Sequence, residues 1–159
     1  MALEVIEYKD WIFEINKQST EEAYKKIGLS GTESCNCNYC KNFITARDLI
    51  YPEEVRELFN KLGIDIGKEA DASEFYKLEN GLHYYSGLFH FKGRILKGKD
   101  SAVSLPSGGF TVELTEITPN FSIGFTNDNS LSLFEEKENL VQIDFSANLP
   151  WLVDVEPEN

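Results

Sequence analysis

The stretch Leu82–Lys97, LHYYSGLFHFKGRILK, decides the fold. Along Leu88–Lys97, Phe89, Phe91 and Ile95 fall on one side of an extended chain, and His90, Lys92 and Arg94 fall on the other. Apolar residues spaced two apart over this length mark a half-buried strand. Asn80-Gly81, just upstream, is a strong two-residue hairpin signal and pairs Leu82–Tyr85 with Glu74–Leu78. Ser86-Gly87 leaves two readings open. A second tight turn there places His83 opposite His90, whereas one bent strand through 82–96 sends the two histidines to opposite faces.

The same period continues toward the C-terminus. Phe110, Val112 and Leu114 alternate with polar residues, as do Phe121, Ile123 and Phe125, and then Val141, Ile143 and Phe145. Strands with one apolar and one polar face imply an antiparallel sheet that is wet on one side. The N-terminal half reads differently. After a strand over Trp11–Ile15, joined to Leu3–Tyr8, the pattern turns helical. Ser19 and Glu22 suggest a capping box for a helix over about 20–27, with Gly28 as its stop. Asn38–Arg47 reads as a helix with Tyr39, Phe43 and Ile44 inward. Glu53–Leu62 reads as the clearest helix: Pro52 opens it, Val55, Leu58, Phe59 and Leu62 share a face, and Gly63 ends it. The expectation is a single α+β domain over residues 1–159. An antiparallel sheet of about five to seven strands from the C-terminal half packs on two or three helices from the N-terminal half.

At 159 residues and 18.1 kDa the chain has the size of one domain. Its 42% hydrophobic content excludes a disordered or collagen-like chain. No apolar run reaches the ~20 residues of a membrane-spanning helix. The first fifteen residues lack the basic start and apolar core of a secretory signal, which points to the cytoplasm. The formal charge is −12, and residues 111–159 hold ten acids against a single base, Lys137. Such a chain repels nucleic acid and anionic membrane surfaces. The acidic third reads either as a solvated surface or as a patch that steers a basic protein partner.

Cys35, Cys37 and Cys40 are the only cysteines and form C-x-C-x-x-C in the turn-rich segment SGTESCNCNYCKNF. Their odd number and crowding argue against a disulfide framework. A disulfide between Cys35 and Cys37 would close a strained ring over one residue. Three thiolates on a tight turn suit tetrahedral zinc, with His83 or alternatively His90 as the fourth ligand. Cys37 and Cys40 also make a C-x-x-C, which supports a redox or nucleophilic reading, and three reduced thiols packing as small apolar side chains is the plainest alternative. His90, Lys92 and Arg94 form a second candidate, an anion-binding face for a carboxylate or phosphate. The opposing reading is a cationic stripe that meets the protein's own acidic strands, at Glu113 and Asp144.

Phosphate-binding loops, the nucleophile elbow and the H-E-x-x-H zinc motif are all missing from the sequence. This favours a non-enzymatic acidic interaction module over the zinc-stabilised domain and over an enzyme acting on a small anion. The segments CNCNYCKNF, YPEEVRELFNKLGID and HYYSGLFHFKG, with a weaker echo in LVQIDFSANLPWL, resemble a group of small uncharacterised bacterial proteins. The resemblance spans residues 10–100. It implies a bacterial cytosolic source and transfers no activity.

Overall fold

The computed structural model describes residues 3–127 and 131–157. A hairpin of β1 (Glu4–Tyr8) and β2 (Trp11–Ile15) leads into three helices, α1 (Lys17–Lys25), α2 (Asn38–Ile50) and α3 (Glu53–Leu62). Strands β3 (Asp71–Lys77), β4 (His83–Lys97), β5 (Ala102–Ser104), β6 (Phe110–Val112), β7 (Thr115–Thr118), β8 (Phe121–Thr126) and β9 (Leu140–Leu149) follow. One antiparallel sheet runs β1-β2-β4-β9-β8-β7, with β3 also paired to β4. The α+β class read from the sequence is the class of the molecule, and five of the seven sheet strands come from residue 71 onward.

His83–Lys97 is one uninterrupted strand. Ser86 and Gly87 are not a turn, because they pair with Ser146 and Phe145 of β9 in regular register. Gly87 leaves room for the Phe145 ring, since a Cβ there would come within 2.5 Å of a ring carbon. With β4 continuous, His83 and His90 are seven positions apart and face opposite sides of the sheet.

One face carries the core. Phe43, Val55, Leu58, Phe59 and Leu62 of α2 and α3 pack there against Tyr85, Phe89, Ile143 and Phe145 of β4 and β9. Phe59 and Phe89 meet edge to face at 4.9 Å, and Phe43 lies 5.7 Å from Tyr85. Each of these side chains contributes about 1.5–3 kcal/mol by leaving water. Gly63 ends α3 in the left-handed conformation at φ 86°, which glycine adopts without a steric penalty.

Three expectations change. Helix α1 begins at Lys17, because the side chain of Asn16 caps it by accepting the Ser19 N–H at 3.1 Å. The alternation at Phe110–Leu114 belongs to a separate two-stranded ribbon of β5 and β6, and Phe110 is 57% exposed. The polar face of the sheet is not wet at its centre. His90, Gln142, Asp144 and Ser146 are buried there. Tyr24 of α1 and Phe134, whose rings meet at 5.0 Å, help to cover that face over His90.

The covering helix also repairs a gap in the sheet. Leu88, His90 and Lys92 turn their backbone N–H and C=O groups to the same edge of β4. β3 occupies that edge as far as Leu88, and β2 begins only at Gly93. Between them the Tyr24 hydroxyl donates to the His90 carbonyl and accepts from the His90 N–H, while the Thr20 hydroxyl accepts from the Lys92 N–H. Side chains of α1 thus stand in for a missing strand.

Candidate metal centre

The three cysteines lie where the loop after α1 turns into α2. Cys37 is the cap residue, in extended conformation, and its sulfur accepts the Cys40 N–H at 3.4 Å. Cys40 then falls in the first helical turn, with its side chain buried, while Cys35 is exposed just ahead of the cap. The Cys37 N–H points to the Cys35 sulfur at 3.5 Å, and the sulfurs of Cys35 and Cys37 are 3.3 Å apart. All three sulfurs lie within 4.8 Å of one another, close enough to share one metal ion. The hydrogen bond with the Cys40 thiol, followed by the Cys37 N–H, lowers the pKa of Cys35, while burial pushes that of Cys40 up.

Neighbouring elements hold this turn in place from two sides. The Tyr39 carbonyl accepts the Tyr85 hydroxyl at 2.8 Å. Asn42 donates to the Pro150 carbonyl and accepts the Leu152 N–H, so the segment after β9 is tied to the first turns of α2. On the other side, the fully buried carboxylate of Glu69 contacts Arg47 at 2.7 Å and accepts from the N–H and hydroxyl of Thr32. Cys35 N–H donates to the Thr32 carbonyl, so a buried ion pair anchors the loop that carries the first thiol. Arg47 and Glu69 are 22 positions apart, and nothing in the sequence announces them as partners.

Neither histidine joins the thiols. Among the described residues, the cluster of metal-donor atoms contains the three sulfurs alone. His83 is buried, with its Nδ1 2.9 Å from the Glu74 carboxylate and its ring 4.9 Å from Trp151. Trp151 in turn meets Tyr39 at 5.6 Å, so its indole contacts both the imidazole and the residue beside Cys40. His90 lies on the other face, its Nε2 3.1 Å from the Gln142 side-chain oxygen. The Cys₃His set expected from the sequence is not assembled: the three thiols stand together, while Glu74 and Gln142 contact the two imidazoles.

The second candidate is dispersed. His90 is 1% exposed, while Lys92 and Arg94 reach a cleft of about 1230 Å³ between α1, β2 and residues 133–139. Lys92 donates to the Glu136 carbonyl at 2.7 Å, and Arg94 contacts the Glu14 carboxylate at 3.1 Å. The partners are Glu14 and Glu136 rather than the acids the strand pattern suggested. Glu113 faces Lys99 at 3.8 Å, and Asp144 accepts from Gln142 on its own strand. No helix among the described residues is long and apolar enough to cross a membrane. Compared with protein-family models, curated proteins and solved structures, the chain matches none of them.

Proposed function

We propose that the protein binds one zinc ion through Cys35, Cys37 and Cys40, with water or another outside ligand in the fourth position. The convergence of the three sulfurs carries this reading. A tetrahedral centre with Zn–S bonds of about 2.3 Å needs sulfurs about 3.8 Å apart. The Cys35 and Cys37 sulfurs stand 3.3 Å apart and all three lie within 4.8 Å of one another, close to that requirement. Thiolate sets favour zinc and other soft ions over calcium or magnesium. Three thiolates and one Zn²⁺ leave a net negative charge, which suits the positive end of α2. Zinc titrated into reduced, untagged protein should bind at one equivalent, and cobalt in its place should show the absorption of tetrahedral thiolate coordination. Reduced protein that takes up no stoichiometric zinc overturns the reading.

A second reading rests on the cleft. Five carboxylates line it against Lys26, Lys92, Arg94 and Lys137. Glu14, Glu135 and Glu136 already face Arg94, Lys26 and Lys92, which leaves Glu22 and Glu138 toward a partner, with Leu133 and Leu29 exposed beside them. A basic protein segment would find both carboxylates and apolar contact there, in keeping with the −12 charge of the chain. A lysine-rich peptide should bind at low salt, weaken as salt rises, and fail with Glu22→Lys/Glu138→Lys. Absence of binding at low salt removes this role.

A further inference from the structure

The geometry points to thiol oxidation as the control of the proposed zinc site: a small disulfide such as glutathione disulfide enters at Cys35, Cys40 closes the bond, and the ion leaves. The inference rests on the zinc reading of the same three residues. Cys35 is exposed, and Cys40, in the first turn of α2, is buried. An incoming disulfide therefore meets Cys35 first. Both of the other sulfurs lie within 4.8 Å of it, so the second step is within reach once the mixed disulfide has formed.

Cys37 is the poorer partner for that step. A Cys35–Cys37 bond closes a strained ring over one intervening residue. The Cys37 sulfur also serves as the cap of α2, accepting the Cys40 N–H. Cys40 is separated from Cys35 by four residues, of which Asn36 and the cap residue Cys37 precede α2, so the larger ring closes with less strain than one over a single residue.

The electron balance closes with the disulfide named. The Cys35 thiolate attacks one sulfur of glutathione disulfide, that S–S bond breaks, and one glutathione thiolate leaves with the electron pair. The Cys40 thiolate then attacks the Cys35 sulfur of the mixed disulfide and expels the second glutathione thiolate. Two protein thiolates are oxidised to one disulfide, and one glutathione disulfide is reduced to two thiols. Zn²⁺ keeps only the Cys37 sulfur, and a single thiolate does not hold it against water. A dithiol reductant reverses both steps and restores the site.

The experiment uses the whole chain, reduced and loaded with zinc. Glutathione disulfide is added, released zinc is read with a chromogenic chelator, and the remaining free thiol is alkylated and located by tandem mass spectrometry. The expected result is release of the full zinc content, an alkyl label on Cys37, a Cys35–Cys40 disulfide, and recovery of zinc binding after dithiol treatment. On the metal-free chain, glutathione disulfide should close the same bond, and Cys35→Ser should form no disulfide to Cys40 while remaining folded by circular dichroism. A chain that takes up no zinc at the outset refutes the metal reading. A fully loaded chain that keeps its zinc under glutathione disulfide refutes the redox step alone, as does a label found on Cys35 instead of Cys37.

Discussion

The hydroxyl of Tyr24 stands 2.8 Å from the backbone oxygen of His90 and 3.1 Å from its backbone nitrogen. One side-chain oxygen thus satisfies both polar groups that a neighbouring strand would otherwise take. Burial raises the Tyr24 pKa far above its ordinary value, so the hydroxyl stays protonated and keeps both bonds at any moderate pH.

Tyr24→Phe keeps the ring against Phe134 and deletes only this bridge. It removes the hydroxyl's two bonds to the buried His90 backbone, so destabilisation of about 1–3 kcal/mol is expected. Urea unfolding of the variant measures it. A midpoint equal to that of the parent would mean that α1 does not stand in for a strand.

Tyr51→Phe should do the opposite. The Tyr51 ring is packed among Phe59, Phe89, Phe121 and Phe145, and its buried hydroxyl has no protein partner among the described residues. Removing an unpaired buried hydroxyl while keeping the ring should leave stability unchanged or raise it by about 1 kcal/mol. The same urea assay reads both tyrosine variants. A loss matching that of Tyr24→Phe would show that the Tyr51 hydroxyl is satisfied.

The contrast between these two tyrosines shows what the sequence conveys and what it withholds. Spacing of two and of three to four residues places the strands and α3, because those periods follow from which side chains must leave water. It also brings Cys35, Cys37 and Cys40 together, since C-x-C-x-x-C is short enough to converge in any tight turn. It says nothing of Tyr24 with His90, or of Arg47 with Glu69, whose pairing depends on where distant elements dock. Ser86-Gly87 misleads as a turn signal, because Gly87 is there to make room for the Phe145 ring. The expected histidine ligand fails for a related reason: Glu74 of β3, opposite Tyr85, reaches His83, and Gln142, opposite His90 on β9, reaches His90.

Glu69→Gln tests the anchor of the thiol loop. Removing one charge of a fully buried ion pair costs about 3–5 kcal/mol. Arg47 keeps 18% exposure and Glu33 at 3.7 Å, so the loss here falls at or below the lower end of that range. Glu33, the more exposed carboxylate 3.7 Å from Arg47, is a surface partner, and Glu33→Gln should cost less than about 1 kcal/mol. Thermal unfolding of both variants checks the ranking. If the pair holds the loop through Thr32, Glu69→Gln also weakens zinc uptake. Equal zinc affinity in the parent and Glu69→Gln would separate the loop from its anchor.

Zinc itself should stabilise the fold, by an amount set by mass action. A ligand that binds only the native state at 100 times its dissociation constant adds about 2.7 kcal/mol. Reduced parent protein should therefore melt higher with zinc than with a chelator, and addition of zinc after the chelator should restore the difference. Cys40→Ser removes a buried ligand from the first turn of α2, leaving two sulfurs, and should abolish the zinc-dependent shift. Cys40→Ser also changes the core side of α2 directly, so each variant is compared with itself, with and without zinc. Tyr24→Phe serves as the control, since it lowers stability at the edge of β4 and touches no thiol. Its melting temperature should fall while its zinc-induced rise stays that of the parent. A rise that persists in Cys40→Ser would place the bound ion on some other group and separate the stabilising effect of zinc from the three converging sulfurs.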